Sequence, residues 1–210
     1  MRTSIIGAGG VARALAGRLG KAGHEVVVGA RRLDAVTGID AEVTDLRTAA
    51  AAAPLVVNAL PGSMAVDVLV PLRAELAGLV LVDVANAVDI GPDGFATRLR
   101  CPGTSLAAEL QRALPDARVV KALNTLGPPQ LMVEPFDTAS TFLCGDDEDA
   151  KAGVREWLGV LGWRPDQVID LGGVDLAWWP ESFVLMVRPL VERLGYVPFA
   201  LALATASRVS

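Results

Sequence analysis

Apolar positions follow two alternating rhythms along this chain. Short, mainly apolar or β-branched runs alternate with stretches in which apolar residues recur every three or four positions. The first rhythm predicts strands and the second helices. On that reading Arg2–Ile6 is a strand, residues 11–21 a helix closed by the turn Ala22-Gly23-His24, and Glu25–Gly29 a second strand. Residues 41–43 give a weak third strand and 44–53 a short alanine-rich helix. Pro54 opens a fourth strand at 55–60, whose near-continuous apolar character suits a parallel strand covered on both faces. Pro61-Gly62 breaks it, and Ser63 is expected to cap a helix running to residue 77. Gly78 ends that helix before a fifth strand at 79–84. Thr104 or Ser105 caps a helix to residue 114, and strands follow at 118–123 and Thr141–Cys144. A short strand at 168–171 and an amphipathic helix at 174–194, interrupted by Pro180 and Pro189, complete the order. Strand–helix alternation of this kind predicts an α/β, Rossmann-type doubly wound fold with a mainly parallel sheet. We read residues 1–210 as one domain, with 146–210 as a helix-rich extension.

Composition narrows the function. Of 210 residues, 52% are hydrophobic and 20% charged, enough apolar material for a substantial core. The formal net charge is −5 and the one basic cluster is Arg31-Arg32, which argues against nucleic acid as a partner. No stretch reaches the ~18–20 apolar residues of a membrane span. The first strand leaves no room for a leader, so a cytoplasmic location is expected. Cys101 and Cys144 have neither metal-site nor disulfide spacing and read as small buried residues. The acidic run Asp146-Asp147-Glu148-Asp149 opens a helix to about residue 161, where carboxylates offset the helix dipole, so no metal site is expected there. The apolar run at 199–204 reads as a helix face or a subunit contact, and hence as a sign of a homodimer.

The turn after the first strand carries the chemistry. Gly7-Ala8-Gly9-Gly10-Val11-Ala12 is a G-x-G-x-x-A fingerprint between a strand and a helix, the context that dinucleotide binding requires. Gly7 permits the turn, Gly9 leaves room for a pyrophosphate, and Ala12 lets helix and strand pack closely. The helix start offers free N–H groups and a partial positive charge to phosphates. A site for the unphosphorylated coenzyme would place Asp or Glu at the end of the second strand, about 20 residues past the glycines. Here the strand ends Gly29-Ala30-Arg31-Arg32. Guanidinium groups bind a 2′-phosphate that a carboxylate would repel, so NADP(H) is the expected cofactor. Asp34 lies close enough in sequence to pair with either arginine.

Ligands of such sheets lie across the carboxyl ends of the strands. Leu60-Pro61 is therefore expected beside the adenosine-side ribose and bridging phosphates, and Ala85-Asn86 near the nicotinamide. Asn86 either hydrogen-bonds there or caps its own turn. Lys121 and Asn124 are the one pair in these loops resembling an acid–base apparatus for a carbonyl. No histidine, carboxylate pair or nucleophile signature accompanies them, which favours hydride transfer between two stacked rings, where positioning is the protein's main task.

Four landmarks carry a family resemblance: Gly7-Ala8-Gly9-Gly10-Val11, Val27-Val28-Gly29-Ala30-Arg31-Arg32, Val119-Val120-Lys121-Ala122-Leu123-Asn124-Thr125, and Cys144-Gly145-Asp146-Asp147. Over nearly the whole chain the sequence resembles NADP oxidoreductases that use the deazaflavin coenzyme (F-420), and ferric-reductase N-terminal domains related to them. The resemblance implies NADPH on the Rossmann portion, a deazaflavin packed against its nicotinamide, direct hydride transfer and a dimer. The anionic tail of that coenzyme would call on Arg98, Arg100 and Arg188. Two further readings stand beside this one: an NADPH-dependent carbonyl or imine reductase using Lys121 or Asn124, and a non-catalytic NADPH-binding sensor.

Overall fold

The computed structural model describes residues 2–127 and 129–204. In chain order the elements are β1 (Arg2–Ile6), α1 (Gly10–Lys21), β2 (Glu25–Gly29), β3 (Glu42–Thr44), α2 (Leu46–Ala50), β4 (Leu55–Asn58), α3 (Gly62–Leu69) and α4 (Arg73–Leu76). There follow β5 (Val80–Asp83), β6 (Val88–Ile90), β7 (Ala96–Leu99), α5 (Leu106–Ala113), β8 (Arg118–Lys121), α6 (Pro129–Val133) and β9 (Thr141–Cys144). The chain continues through α7 (Glu148–Leu161), β10 (Val168–Gly172), α8 (Trp178–Ser182) and α9 (Val187–Leu194).

Eight strands form one sheet in the order β10-β9-β8-β5-β4-β1-β2-β3. The six from β3 to β8 run parallel, with Ile5 opposite both Val28 and Val57. The order doubles back at β1, so α1, α6 and α7 cover one face and α2, α3 and α5 the other. This is the doubly wound arrangement the alternation implied, and its crevice opens over the carboxyl ends of β1 and β4. Beyond β8 the direction changes: β9 pairs antiparallel through Lys121 and Cys144, and β10 lies parallel to β9 at the edge.

Local chemistry accounts for several boundaries. Ser105 rather than Thr104 caps α5, its hydroxyl accepting from the Ala108 N–H at 3.0 Å. Asp147 caps α7 through the Ala150 N–H, while Asp146 accepts from the Val174 N–H, so the acidic run serves helix and loop termini. Ser63 is not a cap: the helix begins at Gly62 with Pro61 before it, and Pro71 splits the expected helix into α3, a 3-10 turn and α4. The strand expected to reach residue 123 ends at Lys121, because Leu123 adopts a left-handed backbone (φ 60°) and donates its N–H to Thr141 Oγ1.

The β6–β7 hairpin and α6 were not expected from the pattern; Asp93-Gly94 lies in the hairpin's turn. Residues 199–204 do not form a helix. They carry no regular secondary structure, with the Ser140 N–H donating to the Leu201 carbonyl and the Leu203 N–H to Ser140 Oγ.

Candidate functional site

A cleft of about 600 Å³ opens at the crevice between β1 and β4, within the range of small-molecule sites. Gly7, Ala8, Gly9, Gly10, Val11, Ala30, Arg31, Arg32, Leu60 and Pro61 all line it. Gly7 closes the turn at φ 118°, and a Cβ there would lie 2.6 Å from the Ala59 carbonyl oxygen, so only glycine fits. Gly9 is the opposite case: a Cβ would meet nothing within 4 Å, because that side of its backbone faces open space. Ala12, expected in the same motif, lies beneath the cleft in the core, where its small side chain lets α1 approach the sheet.

The electrostatics of this crevice suit an anion. Helices α2, α5 and α7 each have a side-chain cap, whereas α1 has neither a side-chain cap nor an acidic residue in its first turn. Its amide N–H groups and positive dipole end are left for an anion. Arg31 and Arg32 sit exposed on the rim, and among the described residues no side-chain hydrogen bond or ion pair engages either, or Asp34. The expected Asp34 pairing does not form. A phosphoryl group entering the cleft therefore meets two cations that need not break an existing bond.

The adjoining loops belong to β5 and β8. Asn86 and Asn124 pair reciprocally: Asn86 Nδ2 donates to the Asn124 carbonyl at 2.8 Å, and Asn124 Nδ2 donates to Asn86 Oδ1 at 3.0 Å. Asn86 thus ties its loop to the β8 loop and does not cap its own turn. Asn124 Oδ1 is buried with no partner, as is Thr125 Oγ1 beside it. A buried acceptor without a donor costs roughly 1–3 kcal/mol, which a ligand N–H or O–H would recover. These loops are packed tightly, since a Cβ on Gly62 would lie 2.2 Å from the Asn86 carbonyl oxygen.

Comparison with known proteins agrees with this geometry. The family model described as NADP oxidoreductase, coenzyme F420-dependent, matches residues 2–87. A crystal structure of a candidate F420-dependent NADP-reductase from Arthrobacter sp. FB24 is 33% identical, with a TM-score of 0.88, over 97% of this chain and 99% of that one. This chain belongs to the coenzyme F420-dependent NADP oxidoreductase family. Metalloreductase STEAP3 of Rattus norvegicus is 32% identical over 192 residues, 90% of this chain but 37% of that protein. The chain thus spans under two fifths of the curated relatives it matches. An imine reductase of Streptomyces aurantiacus, at 21% identity and a TM-score of 0.64 over 92% of this chain and 62% of that one, shares the fold.

Within this family member, Lys121 does not stand where an acid–base group would. Its side chain is 0% exposed, and Nζ contacts Asp83 Oδ2 at 2.8 Å, Glu181 Oε1 at 2.7 Å and the Ala85 carbonyl. Burial alone would push the ammonium's pKa down, but the two carboxylates hold it above the ordinary lysine value. Lys121 is committed to scaffolding, and no proton donor to a substrate carbonyl is assembled around it.

Arg98, Arg100 and Arg188 are also engaged. The first two share Asp89, and Arg188 pairs with Asp93 and Glu192, so the basic groove expected for an anionic tail is largely neutralised. Of the cysteines, Cys144 is buried, with its thiol pushed up to about 12 chiefly by burial; Cys101 is half-buried.

The sequence reading missed five further cleft residues outside the glycine motif: Gly29, Ala35, Val36, Leu46 and Ala59. Ala35 and Val36 belong to a short 3-10 turn after β2, whose only sequence signal is its place after the arginines. No helix among the described residues is long and apolar enough to cross a membrane.

Proposed function

We propose that this chain binds NADPH across the Gly7–Val11 turn and acts as an oxidoreductase passing hydride to a deazaflavin or a similarly flat conjugated acceptor. The observation that carries the cofactor half is the pair of unengaged guanidinium groups, Arg31 and Arg32, on the rim of a glycine-lined cleft over an uncapped helix. The residues present fit the dinucleotide: Gly9 leaves backbone open to a pyrophosphate, α1 offers N–H donors, and Ala35, Val36, Leu60 and Pro61 offer apolar walls. When bound, the reduced nicotinamide supplies the hydride. The chain's part is then to hold two rings in register and keep water out, which needs no acid–base group.

The deazaflavin rests on family membership together with the scarcity of proton-transfer chemistry in the loops. The engagement of Lys121 weighs against the carbonyl or imine reductase reading, which needs a proton donor. We further propose that the chain works as one domain and as a homodimer. Trp179, Met186, Leu194, Tyr196 and Val197, all at least half exposed, give the C-terminal segment an apolar surface suited to a second copy.

The test is to mix protein, NADPH and deazaflavin and follow the deazaflavin's visible absorbance. Bleaching at a rate proportional to protein supports the proposal. Tight NADPH binding without oxidation by any planar acceptor would leave the sensor reading in its place.

A further inference from the structure

The ion cluster at Lys121 reaches further than core stability requires. Asp83 alone would neutralise the buried ammonium, yet a second carboxylate, Glu181, arrives from α8, 60 residues later, and is 3% exposed. Glu181 also accepts the Leu106 N–H at 2.9 Å and the Ala107 N–H at 3.3 Å, so it holds the start of α5. On the other side the cluster runs into the loops after β4 and β5, the first of which lines the cleft. Lys121 Nζ donates to the Ala85 carbonyl, and Asp83 Oδ1 accepts from the Ala85 N–H at 3.2 Å and from Asn58 Nδ2 at 2.8 Å. Asn58 Oδ1 in turn accepts from the N–H of Leu60, a cleft residue, at 3.2 Å. An unbroken series of buried polar contacts thus links the C-terminal helices to the loops after β4 and β5.

On the reading above, the loop after β5 serves the nicotinamide half of the cofactor, while β1, β2, their arginines and the Leu60-Pro61 loop serve the adenosine half and the bridging phosphates. We propose that Glu181 is a positioning residue for the nicotinamide half: through Lys121 it fixes the Ala85–Asn86 loop, making that half of the site depend on the docking of α8. The inference rests on the NADPH reading above. The physical reason is that hydrogen bonds in a low-dielectric interior are strong and directional, so Lys121 sits where its three acceptors balance. Withdrawing one lets the ammonium move toward Asp83 and releases Ala85.

Glu181→Gln keeps the shape and one acceptor for α5 while removing the charge. Binding of NADPH is compared with that of adenosine 2′,5′-bisphosphate, which engages only the glycine turn and the arginines. The expected result is NADPH weakened on the order of tenfold, with the bisphosphate unchanged within about twofold, a difference of roughly 1.4 kcal/mol confined to the nicotinamide half. Equal weakening of both ligands, or a lowered melting temperature with neither affected, overturns the proposal by making Glu181 a structural residue only. Should Glu181→Gln not fold, Glu181→Asp carries the same comparison, since it keeps the charge but draws the carboxylate back by one methylene. Failure of the unmodified protein to bind the bisphosphate overturns the NADPH reading, and this inference with it.

Discussion

Replacing Arg31 by alanine tests the cofactor assignment at its most discriminating atom group. Arg31 and Arg32 flank the cleft with no carboxylate on either, so a 2′-phosphate gains their charge-assisted hydrogen bonds without displacing an internal partner. A hydrogen bond to a charged group contributes about 1.5–3 kcal/mol, and each 1.4 kcal/mol is tenfold in affinity. Both guanidinium groups are exposed, and at 0.15 M salt the screening length is about 8 Å, so the lower end of that range applies. Arg31→Ala should therefore raise the NADPH dissociation constant about tenfold at physiological salt, and more at low salt. NADH, lacking the phosphate, should change by less than about twofold on the same scale. Calorimetric titration of both coenzymes, at two salt concentrations, reads the difference directly. If NADH weakens by the same factor, Arg31 supports the fold of the 30–36 turn rather than a phosphate. If the unmodified protein does not prefer NADPH, the phosphate argument is wrong altogether.

The two motif glycines should separate binding from folding. Gly9→Ala should change the melting temperature little, since its Cβ meets nothing, yet weaken NADPH by roughly tenfold. Gly7→Ala should destabilise the protein by roughly 1–3 kcal/mol from backbone strain alone, with the clash at Ala59 added, as chemical denaturation would register. Lys121→Met strands two buried carboxylates and should cost about 3–5 kcal/mol or prevent folding. Because the folded pKa of Lys121 is raised, its contribution in the native protein is intact at neutral pH and fades only as pH climbs through that raised value; a melting-temperature series against pH should decline above the ordinary lysine value of 10.5 more steeply in the native protein than in the variant. Cys144, pushed up to about 12 and buried, should resist alkylation at pH 8 until the protein unfolds; mass spectrometry finding Cys144 labelled in the native state would contradict its placement.

How much of this was legible before the structure depended on how local each feature is. Strands β1, β2 and β9 appear at the boundaries read from the sequence, because short runs rich in β-branched and apolar residues between turn signals mark strands. That the glycine turn and the two arginines would share one cleft was equally readable, since a turn, a helix start and two arginines lie within adjacent loops of one βαβ unit. Where a helix begins at Pro61-Gly62 was misread because Ser63 has the residue type of a cap but not the position. The left-handed Leu123 was invisible for a different reason: nothing in its side chain favours that backbone, which is accompanied by a bond to Thr141 from another strand.

The loops after β4, β5 and β8 show the same principle at longer range. Asn58, Asp83, Lys121 and Glu181 are single polar residues in or beside apolar runs, and each alone reads as an anomaly or, for Lys121, as chemistry. Folding brings them together because a parallel sheet stacks the carboxyl ends of β4, β5 and β8, so polar residues at those ends must satisfy one another. Asn58 lies opposite Asp83, and Asp83 opposite Lys121, in one lateral row of the sheet. That register turns a candidate acid–base lysine into a structural cation, and it puts the loops above the row under the control of the row itself. A lysine at a strand's carboxyl end therefore cannot be assigned to catalysis until its neighbours in the row are known. Here two carboxylates and a carbonyl claim it, and under the proposed function the chemistry left to the site is the positioning of a hydride donor.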